Sequence, residues 1–428
     1  MPDVRGFELS RDVRRIGHLD LPGGGQVVVD GDYAYVGHMK PPHGTSILDI
    51  SDPARPRVVA RLELEGDESH THKVRVVGDL MFINVEQNER HFRRKGERLP
   101  ALRADLKARY GREASAAELA DALGVEPDDI PLLDAARERG YHEGGFRIYD
   151  VSSRASPKLI HYERTFGFGV HRFDVDQRYA YISTEMEGYL GNILVIYDIG
   201  DPARPEEVAR WWLPGQHVAA GETPTWRGYS HRLHHAMREG DELWASVWHA
   251  GIRVLDVKDI TKPRVIGAYD YHPPIPEPTH TVMPVRVQVQ GKRIAVAIDE
   301  EHDHAYGQPH GFIWVFDVTD LAEIKPLSTF QLSEMESPWS RSGARFGAHQ
   351  YQEHLDDTLV YSVWFAGGLR ILDVADPYLP KEVGHFIPEP VDGHLAPQSN
   401  DVDLDSRGLI YVIDRLQGFD ILEFDGPR

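Results

Sequence analysis

GTSILDISDPARPRVVARL, from Gly44 to Leu62, joins an apolar run of strand formers to a terminal Asp, a Pro-containing polar turn and a second amphipathic strand. The same unit returns as GGFRIYDVSSRASPKLIHY from Gly144, GNILVIYDIGDPARPEEVARW from Gly191 and AGIRVLDVKDITKPRVIGAY from Ala250. It continues as HGFIWVFDVTDLAEIKPLSTF from His310, GGLRILDVADPYLPKEVGHF from Gly367 and a truncated QGFDILEFDGP from Gln417. Ahead of each unit lies another strand pair, such as VVVDGDYAYVGH from Val27 or VRVVGDLMFINVE from Val74, whose Gly-Asp marks a hairpin turn. Each repeat therefore supplies four antiparallel strands, the content of one propeller blade. The last unit stops after its third strand, whereas the chain opens with a lone strand-like segment, VRRIGHLDL from Val13. The expectation is an all-β, seven-bladed propeller spanning residues 1–428 as one domain, with the amino-terminal strand completing the last blade.

The repeats resemble the LVIVD-repeat family, most nearly in the runs ILVIYDI and RVLDV, and the resemblance extends over almost the whole chain. It implies the propeller fold but no particular activity, because proteins that share a repeat need not share chemistry. Composition narrows the function classes. The 428 residues are 41% hydrophobic, without an apolar run near the length of a bilayer span. The opening MPDVRGFELSRDVRR has no apolar core of a secretory signal, so a cytoplasmic location is expected. A net charge of −21 argues against nucleic acid or an anionic membrane as partner and leaves a small molecule or a protein. With 0 cysteines and 23 histidines, any metal must be held by nitrogen and oxygen.

One segment breaks the repeat. Residues 88–143, inside the second blade, read as two or three helices, with capping-box spacing at Ser115 and Glu118 and a stop at Gly140. ASAAELADALGVEPDDI looks like helix-turn-helix pieces of transcription factors, but its balanced charges lack the basic face that phosphate contacts need. A helical lid packed on the propeller is the expected role.

Aligned on the Gly-Asp turn, His72, His171 and His234 share the start of the innermost strand, with His349 one residue away and His280 a few residues upstream. Asn400 holds the place in the last blade and glycine in the first. A single His at a strand start is ordinarily a hydrogen-bonded packing residue. Several imidazoles from separate blades converging on one mouth are different: protonating them together is repulsive, and leaving them neutral strands donors and acceptors. A divalent metal resolves both, so His72, His171, His234 and His349 are the expected ligands, with His280 next. Where the second strand returns to that face stand Glu86, Glu185, Asp299 with Glu300, and Asp414, as second-layer acceptors, ligands or general acid–base groups, while Trp248 and Trp364 would form an apolar wall. The loops of the same face are the long ones, including LPGQHVAAGETPTWRGYSH, DEEHDHAYGQPHG and SEMESPWSRSGARFGAH.

A mononuclear, histidine-ligated divalent transition metal is expected, Fe(II) first, with Cu, Zn or Mn compatible. The arrangement is similar to that of carotenoid-cleavage oxygenases and of selenium-binding or methanethiol oxidase propellers, without a sequence match to either, and the missing cysteines depart from the second group. The resemblance implies oxidoreductase chemistry, oxygenase or oxidase, on a small organic molecule. A metal-assisted hydrolase or lyase using Glu86, Glu185 or Glu300 as base stays open, as does a non-catalytic binding scaffold; the oligomeric state is left open. No nucleophile elbow, P-loop or dinucleotide fingerprint stands in a suitable context.

Overall fold

The computed structural model describes residues 7–228, 230–302 and 308–426. The expectations for residues 1–6, for Tyr229 and for the middle of the loop after Asp299, 303–307, lie outside these. The protein is built from antiparallel sheets of propeller type. Runs of four consecutive strands pair in order, as in Gly24–Asp30, Tyr33–His38, His43–Asp49 and Arg57–Glu63. The first strands of successive runs touch one another: Gly24–Asp30 meets Val74–Val77, which meets Phe166–Val175. The series continues through His235–Glu239, Thr279–Pro284, Ala348–Tyr351 and Ser399–Leu404, and the last of these touches Gly24–Asp30 again.

The repeated Asp has a local cause. At the end of the third strand in six repeats its carboxylate accepts the backbone N–H two residues on: Asp49 from Ser51 at 3.0 Å, Asp150 from Ser152 at 2.8 Å, Asp198 from Gly200 at 2.8 Å, Asp256 from Lys258 at 3.0 Å, Asp317 from Thr319 at 3.0 Å and Asp373 from Ala375 at 2.8 Å. This Asx turn stops the strand and reverses the chain into the Pro-containing connection. Between neighbouring sheets the alternate apolar side chains interlock, as where Tyr35 and Ile47 of the first meet Val74, Met81 and Ile83 of the second.

The chain ends meet as the sequence indicates. Val13–Leu19 pairs antiparallel with Gly418–Phe424, aligning Val13 with Phe424 and Leu19 with Phe419. The approach is close at Gly17, where a Cβ would lie 2.0 Å from the Pro53 carbonyl oxygen. A feature not anticipated is the pair Ser10–Arg11, which adds to the edge of the sixth sheet at Lys381–Phe386.

The insertion forms four helices rather than two or three: α1 Arg90–Glu97, α2 Leu99–Tyr110, α3 Ala116–Leu123 and α4 Asp129–Arg139. The extra boundary falls at Arg98, just before a proline in the first turn of α2, where a missing N–H is tolerated and a new helix begins readily. Ser115 and Glu118 form the expected capping box, and Gly140 ends α4 at a positive φ of 70°. Leu99, Leu106, Leu119, Leu123, Ile130 and Leu133 give the helices a small core of their own. Among the described residues no helix is long and apolar enough to cross a membrane.

Val13 and Leu21 are both buried, and each is worth about 1.5–3 kcal/mol. Deleting residues 1–21 should therefore remove a large share of a typical folding free energy and bare the edge of Gly418–Phe424, giving aggregation or a sharply lowered melting temperature. Light scattering and thermal melts test this, and a truncated form that stays monodisperse and equally stable would contradict it.

Candidate metal centre

All five singled-out histidines line one cavity of about 610 Å³. Each comes from a different run of four strands: His72 just ahead of Val74–Val77, His171 within Phe166–Val175, His234 just ahead of His235–Glu239, His280 within Thr279–Pro284 and His349 within Ala348–Tyr351, the second and third runs being joined by the pairing of Glu86 with Gly169. Their rings follow one another, with centroid separations of 5.3 Å for His72 and His171, 4.9 Å for His171 and His234, 4.2 Å for His234 and His280, and 4.6 Å for His280 and His349. The glycine of the first sheet has a steric reason: a Cβ on Gly25 would lie 2.7 Å from the His72 carbonyl oxygen.

Hydrogen bonds set the tautomers of four rings. His234 Nδ1 donates to the His280 carbonyl at 2.7 Å, and His349 Nδ1 donates to the Asn400 carbonyl. His280 Nδ1 donates at 2.8 Å to Thr281 Oγ1, whose own proton goes to Gln350 Oε1 at 2.7 Å. His171 Nδ1 donates to Glu86 Oε2 at 3.1 Å. When such a ring is neutral its Nε2 carries a lone pair, which on His171 also accepts from Arg90 Nη2 at 3.3 Å. Burial, the largest influence on all five rings, holds their pKa values well below 6.5, so they are neutral near pH 7. The Nε2 atoms of His171 and His234 then face each other at 3.1 Å. Two lone pairs repel at that distance, whereas two ligands bound side by side about 2.1 Å from one metal stand about 3 Å apart. The donor set thus fits a nitrogen-coordinated cation.

His72 differs from the other four. Asn84, oriented by accepting from Lys73 N and donating to the Val170 carbonyl, points its amide group at His72 Nδ1, 3.2 Å away. That makes Nδ1 an acceptor and puts the proton on Nε2. The cavity accordingly holds two groupings with metal-ligand spacing rather than one uniform ring: His70, His72 and Glu86, and His234, His280 and Glu300, with His171 between them.

The carboxylates divide. Glu86 and Glu300 line the cavity. Burial by itself raises the Glu86 carboxyl, but Arg90 at 2.9 Å and His70 at 2.9 Å outweigh it and hold the group down to about 2. Glu300 is also raised by burial and more than compensated, by His302 at 3.2 Å and by the nearby His349 and His280, to end well below the ordinary range. Glu185 and Asp414 do not line the cavity. Glu185 pairs with Arg94 of α1 at 2.5 Å and accepts from Phe168 N at 3.1 Å, while Asp414 accepts the backbone N–H groups of Gln398, Leu416 and Gln417. Asp299 is committed to Tyr271 and Trp314. The tryptophans are elsewhere too: Trp364 is fully buried, bonded to Ser362, and Trp248 lies under Arg232. The apolar lining comes instead from Met39, Phe92 and Leu416.

Sequence reasoning missed His70, Lys73, Arg90, His302, Arg345 and Arg415, which line the same cavity. His70 carried a usable signal, since two residues apart on an extended chain put it on the same side as His72. The insertion reaches the cavity through Arg90, His91 and Phe92 of α1.

A propeller-like, all-β protein with a histidine-lined cavity is thus defined by fold and site. The LVIVD repeat family matches at residues 24–63 and 173–211, so the chain carries LVIVD repeats. Among solved structures, it is similar to a chain of the mitotic checkpoint complex at 9% identity, covering 98% of this chain and 93% of that one with a TM-score of 0.50, a likeness of fold alone. The computationally designed Ika8 protein is 10% identical, covering 97% of this chain and 99% of that one, with a TM-score of 0.46. No curated protein matches the chain in sequence.

The pH response of the metal-free protein follows from these shifts. The buried imidazoles take up protons less readily folded than unfolded, so their stability contribution is complete above about 6.5 and falls as pH drops below that value. Glu86 extends the loss between its ordinary 4.5 and about 2. Melting temperature should fall steadily from pH 6.5 to 4.5, with each imidazole contributing up to about 1.4 kcal/mol per pH unit. Thermal melts across that interval check it, and a flat profile would contradict it.

Proposed function

We propose that the protein is a metal-dependent enzyme that holds one divalent transition metal among the Nε2 atoms of His171, His234, His280 and His349 and acts as an oxidoreductase on a small organic molecule. The carrying observation is the 3.1 Å approach of the His171 and His234 Nε2 atoms, both deprotonated by the bonds their Nδ1 atoms make. Neutral imidazoles suit Fe(II) first, with Cu, Zn or Mn also compatible, and such an ion would supply oxygen activation or substrate polarisation. Glu86 orients His171, and the His280 and Asn400 carbonyls and Thr281 orient the others, the role outer partners play around bound metals. His72 and His70 complete the wall on the Glu86 side. Because Glu86 and Glu300 are each engaged by a guanidinium, Arg90 and Arg345, we favour positioning over a general-base role and rank a hydrolase or lyase second. A binding scaffold ranks third.

The same reading takes the repeated sheets as seven blades of a closed ring and residues 88–143 as its lid. Supporting it are the unbroken succession of contacts between first strands and the presence of α1 side chains in the cavity wall.

His171→Ala and His234→Ala should each lower metal affinity by more than the roughly 10–100-fold that loss of an outer partner costs, without unfolding the chain. His18→Ala, on the outer strand beside Asp420, should keep full loading. Metal per chain with parallel melts decides this, and wild-type protein that neither contains nor is stabilised by Fe, Cu, Zn or Mn sinks the proposal.

Replacing residues 88–143 by a short Gly-Ser linker should leave the sheets folded, because the helices have their own core, yet reduce turnover at least about tenfold by opening the cavity to water. Far-UV circular dichroism and activity on the same preparation separate the two effects. Failure of the excised chain to fold would make the insertion structural instead.

A further inference from the structure

The cavity that would bind substrate is lined by more basic than acidic side chains inside a strongly acidic protein. The whole chain carries a net charge of −21, so an organic anion approaches against the average field and needs a local reversal to bind. Such a reversal is present. The two carboxylates beside the histidines are already matched, Glu86 by Arg90 at 2.9 Å and Glu300 by Arg345 at 3.3 Å. Three further cations of the lining form no ion pair among the described residues: Lys40, Lys73, which is only 4% exposed and without a hydrogen bond to its ammonium, and Arg415, whose Nε donates to the neutral Asn400 Oδ1 at 2.5 Å; Lys73 and Arg415 are the two beside the His349 end of the row. Glu300 and Asp401 act on Lys73, and Glu300 and Asp414 on Arg415, but none of them forms an ion pair with either cation, and desolvation together with repulsion from neighbouring cations outweighs them.

Their placement is built. Arg345 and Arg415 both lie against the ring of the fully buried Phe365, with Cζ at 3.9 and 5.3 Å from its centroid, and the His349 ring lies 4.8 Å from the same centroid. Asn400 ties the group together, taking the Arg415 Nε–H on its side chain and the His349 Nδ1–H on its backbone. Lys73 follows His72 directly and enters from the second sheet. Side chains from three sheets thus bring like charges to one wall of the cavity, next to the His349 end of the histidine row.

We infer that the substrate carries an oxyanion, a carboxylate or a phosphate ester, which docks on Lys73 and Arg415 with Arg345 beside them and sets the rest of the molecule over the histidines. This rests on the cavity being the substrate site and deepens that reading; it does not require that a metal be bound. Charge-assisted hydrogen bonds from two cations to one oxyanion also give orientation, since a guanidinium presents paired N–H groups that a carboxylate or phosphate can accept together.

Calorimetric titration of the protein as purified with hexanoate, hexyl phosphate and hexanamide tests the inference, repeated after treatment with a chelator. Expected is binding of at least one of the two anions about tenfold or more tighter than the amide, in both metal states, with the stronger anion identifying the headgroup. Lys73→Met and Arg415→Met should each weaken that anion about tenfold and change hexanamide less than twofold. Melts establish that the variants fold, and Arg415→Met, at a half-buried loop position, carries the test if Lys73→Met does not. Equal affinity for anions and amide, or no binding of any of the three, overturns the inference. So does anion binding that disappears with the chelator and ignores both substitutions, since the metal alone would then be the anion's partner. Anion selectivity that persists in protein found to hold no metal upholds the inference and removes the metal reading instead.

Discussion

The pairing of Val13–Leu19 with Gly418–Phe424 is the contact on which the rest of the molecule depends. Without it the last sheet has three strands, and the chain's two ends are joined by nothing covalent or local. Repeat proteins draw stability from contacts between neighbouring units, so a gap at one boundary weakens its neighbours. The consequence reaches the cavity because His72 and His349 are separated by about two thirds of the sequence and no local segment holds both. Their spacing is set only by the succession of first strands. A second tie runs across that succession: Glu353, beyond the sixth sheet's first strand, pairs with Arg75 of the second sheet and with Arg172 of the third at 2.5 Å, and both arginines are buried. Breaking one partner of such a set leaves a buried charge, a penalty of about 3–5 kcal/mol, which discourages the sheets from sliding.

The repeat carries its own instructions for the parts that must be alike and leaves the rest free. Strand-end Asp residues bond to the backbone two residues later and so need nothing from other repeats. At the first strand, by contrast, the equivalent positions have diverged with their neighbours. Gly25 leaves room for His72, and Asn400 supplies the carbonyl that fixes the His349 tautomer and the amide oxygen that holds Arg415. A histidine at Gly25 would run into the His72 backbone, and one at Asn400 would lose the amide oxygen that holds Arg415. The interruption of the histidine pattern at both ends is therefore part of how the row is positioned.

Strand content, the repeat phase and the amino-terminal strand were legible because each rests on short-range chemistry: period-two alternation, Gly-Asp turns and Asx caps. The convergence of the five histidines was legible because the repeat puts equivalent positions on one face. The partners of the carboxylates were not. Glu86, Glu185 and Asp414 end equivalent strands, yet each is claimed by whatever follows it: Arg90 of α1 binds Glu86, Arg94 one turn later takes Glu185 away from the cavity, and the turn after Asp414 folds its own N–H groups onto that side chain. A strand position gives the face a side chain leaves from, while the loop beyond it decides what the side chain meets. The cations were invisible for the same reason, since Arg345 and Arg415 sit in connections whose path no periodicity describes.

Arg90 links the insertion to the chemistry proposed for the histidines. Its Nη1 pairs with Glu86 at 2.9 Å while its Nη2 donates to His171 Nε2 at 3.3 Å, the same lone pair that would bind the metal. A guanidinium cannot give up its proton, so the arginine and a metal would compete for that nitrogen. They would also repel as like charges in a buried setting where little solvent intervenes. Glu86 tempers the repulsion by facing both His171 and Arg90. A metal held at His171 would have to displace this donor, leaving Arg90 its contact with Glu86. The arginine on α1 is thus the point where the insertion meets a nitrogen proposed as a ligand.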